Sequence, residues 1–88
     1  MKNVLLFGYG KMGSSIVKGW KLKQLDFNIF IIEKEASLRK LAEKDGFNAY
    51  ENIKFLNQTK KLKNFDIIFL AVKPQQMEET VLSFNDFN

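Results

Sequence analysis

The chain of 88 residues contains no cysteine and no histidine, and it has a single proline and a single tryptophan. Without cysteine it can form neither a disulfide nor a thiolate metal site, and without histidine it lacks the commonest general base and metal ligand. Metal-assisted chemistry is therefore not expected within this chain, and no catalytic or metal-ligating residue is assigned. Long hydrophobic runs are missing too. The longest, Ile67 to Val72, falls far short of the ~20 apolar residues a membrane span needs. The N-terminus lacks the extended apolar core of a signal peptide. These absences predict a cytoplasmic protein with no membrane partner.

What is present is 45% hydrophobic content with nine phenylalanines, enough for one modest core that buries roughly 60 to 65% of the unfolded surface. Fourteen Lys and Arg against ten Asp and Glu give a net charge of +4. That balance suits an anionic small molecule. A nucleic-acid partner is not expected, because the basic residues are scattered apart from a short cluster at Lys60, Lys61 and Lys63. The phenylalanines also lie in strand-like runs and not interleaved with cations as on a base-stacking platform.

Along the chain, apolar runs alternate with helically spaced stretches. Val4 to Phe7, stopped by Gly8, reads as a strand buried on both faces of a parallel sheet. Met12, Ile16 and Trp20, with Val17 beside them, give the stripe of a helix ending near Lys23. Ile29 to Ile32 predicts a second strand, and Leu38, Leu41 and Ala42 a helix over 36–45. Gly46 stops that helix in the left-handed position, with Phe47 placed for the hydrophobic contact that accompanies such a cap. Asn48 to Tyr50 suggests a short third strand. Glu51 to Asn64 is lysine-rich and only weakly periodic around Ile53, Phe55, Leu56 and Leu62. Asp66 to Val72 is the strongest strand signal, and Gln75 to Leu82 predicts a helix with Met77, Val81 and Leu82 facing inward. This alternation predicts the α/β class, a Rossmann-type doubly wound parallel sheet of which about four strands are visible, so that 1–88 is a truncated dinucleotide-binding domain.

The loop Gly8-Tyr9-Gly10-Lys11-Met12-Gly13 carries the chemistry. G-x-G-x-x-G by itself is a weak signal, but here it follows a predicted strand, opens a predicted helix, and is followed ~20 residues later by Glu33 at the end of the second strand. Gly8 permits the turn off the strand, Gly10 lets the backbone approach a pyrophosphate, and Gly13 lets the helix pack close. The N–H groups and dipole of the first helical turn then face the phosphate charge. A P-loop is excluded, since Gly13 is followed by Ser14-Ser15 instead of Lys and a hydroxyl. Glu33 is expected to accept the adenosine ribose hydroxyls and disfavour a 2′-phosphate, while Lys34 or Arg39 would counter it if either turned toward that phosphate. The cofactor expectation is therefore NADP or NAD, leaning to NAD. At the carboxyl end of the fourth strand, where ligands of this fold bind, Ala71 leaves room, Pro74 directs the loop, and Lys73 brings a positive charge near the nicotinamide half.

Phe7 to Gly13 with Ile16 and Gly19, together with Asp66 to Gln75, resembles the N-terminal NAD(P)-binding domain of the pyrroline-5-carboxylate reductase family over nearly the whole chain. The Ala-Val-Lys-Pro-Gln run is the more specific part. The resemblance implies hydride transfer from NADPH or NADH to the C=N bond of 1-pyrroline-5-carboxylate, giving L-proline. Gly8, Tyr9, Gly10, Lys11, Met12 and Gly13 would line the pyrophosphate, and Ala71, Val72, Lys73 and Pro74 would flank the nicotinamide half. Two positions depart from the pattern: Lys11 stands where the family often has Asn, and Glu33-Lys34-Glu35 replaces a hydroxyl-rich segment that tolerates NADPH. The family's helical second domain, which forms a homo-oligomer and supplies much of the pocket for the cyclic imino acid, is absent from this chain, so the chain alone is expected to be inactive. Two other readings stay open. One is the equivalent domain of a β-hydroxyacid dehydrogenase or F420-dependent NADP reductase. The other is a stand-alone, non-catalytic nucleotide-binding module.

Overall fold

Four consecutive residues of the first strand, Val4 to Phe7, are buried, and the topology explains why. In the computed structural model, which describes residues 1–60 and 64–87, the strands are β1 (Lys2–Phe7), β2 (Phe27–Ile32), β3 (Asn48–Tyr50) and β4 (Ile67–Leu70). They form one parallel sheet in the order β3-β2-β1-β4. β1 is thus central, with β2 and β4 as its two neighbours and a helical layer over each face. The helices are α1 (Lys11–Leu22), α2 (Ala36–Lys44), α3 (Ile53–Lys60) and α4 (Pro74–Leu82), followed by a 3-10 turn over Ser83–Phe87. This is the Rossmann-like α/β arrangement that the alternation predicts. The chain runs outward from β1 through β2 to β3, then returns to lay β4 on the other side of β1. The carboxyl ends of β1 and β4 therefore flank the point where strand order reverses.

The two faces of the sheet separate by residue parity, as a pleated strand requires. Leu5, Phe7, Phe30 and Ile32 pack with Tyr50 and with Ile53 and Leu56 of α3. Leu6 and Ile31 pack on the opposite face with Tyr9, Val17 of α1, Ala42 of α2 and Phe47. α2 ends as expected: Gly46 has φ +96°, the Phe47 N–H reaches back to the Ala42 carbonyl at 3.0 Å, and Phe47 is buried against Tyr9.

At four places the structure departs from the sequence reading or adds to it. α1 meets the sheet through Gly13 and Val17, whereas Met12 is exposed. Val17 and Trp20 keep to the expected stripe, and Met12 falls off it because the closest approach of α1 to β1 is at Gly13, a residue with no side chain. Within the weakly periodic segment after β3, Ile53–Lys60 is helical, since Asn52 accepts the Phe55 N–H at 2.8 Å and Ile53 and Leu56 fill the core. That is an Asn N-cap followed by two apolar anchors. β4 forms where the strand signal is strongest, and Ile68 and Phe69 are exposed because among the described residues β4 is an edge of the sheet. For the same reason Val81 and Leu82 of α4 are exposed and no residue of that helix is fully buried. The basic cluster at Lys60, Lys61 and Lys63, and Leu62 beside it, lie outside the described residues apart from the Lys60 backbone.

Candidate functional site

The site is built where β1 stops. Gly8 turns the chain with φ +98° and donates its N–H to the Ile32 carbonyl at 2.8 Å, which ties the loop to the end of β2. A Cβ on Gly8 would lie 2.5 Å from the Ala71 carbonyl oxygen, and one on Gly13 would lie 2.0 Å from the carbonyl oxygen of Gly8. Contacts that short leave no room for a side chain. Both glycines are therefore explained by the chain's own packing, the first by β4 and the second by α1 resting on the loop.

Gly10 is different. Its backbone is extended, with φ −75° and ψ −161°, a conformation open to any residue. A Cβ there would meet no protein atom within 4 Å. Nothing inside the protein requires glycine at this position. Gly10 is also the N-cap of α1, and no side chain caps that helix or supplies an acid to its first turn. The leading N–H groups of a twelve-residue helix are thus left to whatever occupies the adjoining space, with exposed Lys11 beside them. Unpartnered donors and the positive dipole end make this a place for an anion.

Tyr9 has an internal role. Its N–H donates to Glu33 Oε1 at 2.7 Å, and its fully buried ring carries the hydroxyl to Asp45 Oδ2 at 2.6 Å. Burial, then the hydrogen bond to Asp45 and its negative charge, holds the phenol far above the usual tyrosine range. The Tyr9 hydrogen bond, with Lys18 3.3 Å away, holds the Asp45 carboxyl below the usual aspartate range. A carboxylate whose folded pKa is depressed contributes stability above its unfolded value, about 3.9, and loses it as pH falls through the folded value. Asp45→Asn is therefore expected to flatten the acid limb of stability. In urea unfolding at pH 6 and pH 2.5, the wild-type midpoint should fall further than the variant's. Equal falls would mean that Asp45 is not held by Tyr9 in solution.

Beside the loop lies a cavity of about 370 Å³, within the size range of small-molecule sites. Phe7, Ile32 and Val72 give it an apolar floor at the carboxyl ends of the strands, and Glu33, Lys34 and Glu79 stand at its rim. Glu33 projects from the end of β2 and is held at both oxygens: Oε1 accepts from Tyr9, and Oε2 accepts the Glu35 N–H at 3.0 Å. Lys34 pairs with Glu79 of α4 across the rim. Arg39 Nη1 donates to the carbonyls of Glu33 at 2.9 Å and Lys34 at 2.6 Å.

Of the residues expected from sequence, Glu33, Lys34 and Val72 line the cavity, whereas no residue of the glycine loop does, Gly8 lying behind Val72. Ala71 is buried behind Gly8, with its N–H donated to the Phe7 carbonyl at 2.8 Å. Lys73, exposed, is the N-cap of α4, and Pro74, also exposed, opens that helix. Neither borders the cavity. Glu79 and Thr80 of α4 do, and sequence reasoning missed them, because their place depends on how α4 crosses the sheet. Among the described residues no three Asp or Glu side chains are grouped to hold a metal ion, and no helix is long and apolar enough to cross a membrane.

The family described as "NADP oxidoreductase coenzyme F420-dependent" matches residues 3–88. A pyrroline-5-carboxylate reductase of Aquifex aeolicus (strain VF5) is 28% identical over 82 residues, covering 93% of this chain. The chain spans 29% of the length of that relative.

Proposed function

The chain belongs to the family of NADP oxidoreductases, coenzyme F420-dependent, and from that premise we propose that residues 1–88 are the cofactor-binding part of a reductase that acts on 1-pyrroline-5-carboxylate. The observation that carries the cofactor reading is Gly10: its side-chain space is empty and adjoins the uncapped start of α1. A pyrophosphate there accounts for a glycine that the protein's own packing does not need. The N–H groups of the first turn of α1 donate to the pyrophosphate oxygens, and Lys11 adds a positive charge. A carboxylate has about four lone-pair sites, so Glu33 retains capacity for the ribose hydroxyls beyond the two N–H groups it accepts. The apolar floor of Phe7 and Ile32 takes the adenosine half, while Ala71, Val72, Lys73 and Pro74 flank the nicotinamide half.

When bound, the reduced nicotinamide supplies the hydride. In this reading the part played by residues 1–88 is to bind and orient the cofactor. The choice of substrate is supported by the Aquifex relative and by Ala71-Val72-Lys73-Pro74-Gln75. A second reading, a reductase that exchanges hydride between NADP and coenzyme F420, is favoured by the family's description. Calorimetric titration of the chain with NADH is expected to show one site per chain, and absence of heat with a folded chain would remove the cofactor reading. The parent protein should oxidise reduced nicotinamide when given 1-pyrroline-5-carboxylate. Activity with coenzyme F420 in its place would select the second reading.

A further inference from the structure

The family's description names NADP, yet the adenosine end of this site is lined with carboxylates. We propose that the cavity discriminates against a 2′-phosphate, so that the chain takes NAD(H) in preference to NADP(H). The inference rests on the dinucleotide reading of the same site.

Three observations converge on it. Glu33 is fixed in place, because turning its carboxylate away would break the hydrogen bonds from both Tyr9 and Glu35. Hydrogen bonds to an ionised acceptor are the strong kind, and the first of these holds the glycine loop itself. The two cations nearest Glu33 already have partners. Lys34 is drawn across the rim to Glu79, and Arg39 directs Nη1 at two backbone carbonyls. The wider surroundings are also acidic. Glu51, Glu79 and Asp86 line the cavity with Glu33, and among the described lining residues Lys34 is the only cation.

A 2′-phosphate brings a charge of about −1.5 to −2 at pH 7 to a place where a bare ribose would instead donate two hydroxyls to Glu33. Charges of like sign brought together at a binding surface repel and suppress the wrong partner. Lys34 offers one partial escape. Its pair with Glu79 is more than half exposed and is therefore weakly held. If Lys34 swings to the phosphate it offsets part of the repulsion, but Glu33 stays where it is and Glu79 is left unpaired at the rim.

The test is calorimetric titration of the whole chain with NADH and with NADPH at low ionic strength. NADH is expected to bind at least about tenfold tighter, with the ratio shrinking as salt screens the carboxylates. In Glu33→Ser the ratio should fall toward one, mainly through a gain in NADPH affinity. Because Glu33 also holds the loop, Glu79→Gln provides a check that leaves the loop untouched. It removes a carboxylate and frees Lys34, so NADPH affinity should rise relative to NADH affinity. Equal or tighter binding of NADPH by the wild type, or no gain for NADPH in either variant, would overturn the proposal while leaving the dinucleotide site in place. Failure of both nucleotides to bind the folded chain would overturn the proposal together with the reading it rests on.

Discussion

Gly13→Ala is expected to destabilise the chain by about 3 kcal/mol, although alanine is the better helix former. At an ordinary helical position the exchange favours alanine by about 0.8–1 kcal/mol. Here the new methyl carbon would sit 2.0 Å from the Gly8 carbonyl oxygen and 3.3 Å from Leu6 Cδ2. The first contact is with backbone that is itself hydrogen-bonded into the sheet end, so no side-chain rotation relieves it. Overpacking in a core costs about 1–3 kcal/mol and sometimes more, and this overlap lies at the severe end. α1 must lift from β1, which uncovers Val17 and Leu6, both now fully buried. For a domain of this size about 3 kcal/mol corresponds to roughly 12–24 °C in Tm. A thermal melt followed by circular dichroism reads it directly. An unchanged or raised Tm would mean that α1 is not seated on β1 through Gly13.

Gly10→Val should do the reverse: stability is kept and binding is lost. The valine side chain enters space with no protein atom within 4 Å of its Cβ, on backbone that valine adopts freely. The cost is confined to a poorer N-cap, about 1 kcal/mol or less. The same side chain occupies the approach to the leading N–H groups of α1, so NADH affinity is expected to fall at least about a hundredfold, or about 2.7 kcal/mol. Two glycines three residues apart in one loop would then separate cleanly, one serving the fold and the other the ligand. A Gly10→Val chain that melts normally and binds NADH as well as wild type would show that the pyrophosphate does not pass this point.

Much of this was legible in the sequence, for reasons particular residues make clear. β1 reads as buried because Val4 to Phe7 has no polar position, and the sheet does cover both its faces. Gly46 reads as a helix stop because a left-handed residue followed by an apolar one is a local device, independent of the rest of the fold. Glu33 reads as a site residue through its distance from the glycine loop, and its carboxylate does touch that loop.

The misreadings share another cause. Hydrophobicity reports what a segment would prefer to bury, and it is silent on whether a neighbour exists. Ile68 and Phe69 look like core and lie at a sheet edge, and Met12 falls on the apolar stripe but points away from the sheet that Gly13 touches. Tyr9 lies within the fingerprint, yet its amide serves Glu33 and its hydroxyl serves Asp45. The acidic character of the cavity was the least legible feature. Glu51, Glu79 and Asp86 come from three separate segments, and only the packing of α3, α4 and the 3-10 turn brings them together.

If the first turn of α1 holds the pyrophosphate of a dinucleotide, amide chemical-shift mapping of the nitrogen-15-labelled chain during NADH addition will show it. The largest shifts should fall on the amides of Lys11, Met12 and Gly13, with Glu33 and Val72 following at the cavity. Saturable shifts that leave those three amides unmoved and gather elsewhere, on the exposed edge at Ile68 and Phe69 for instance, would contradict it.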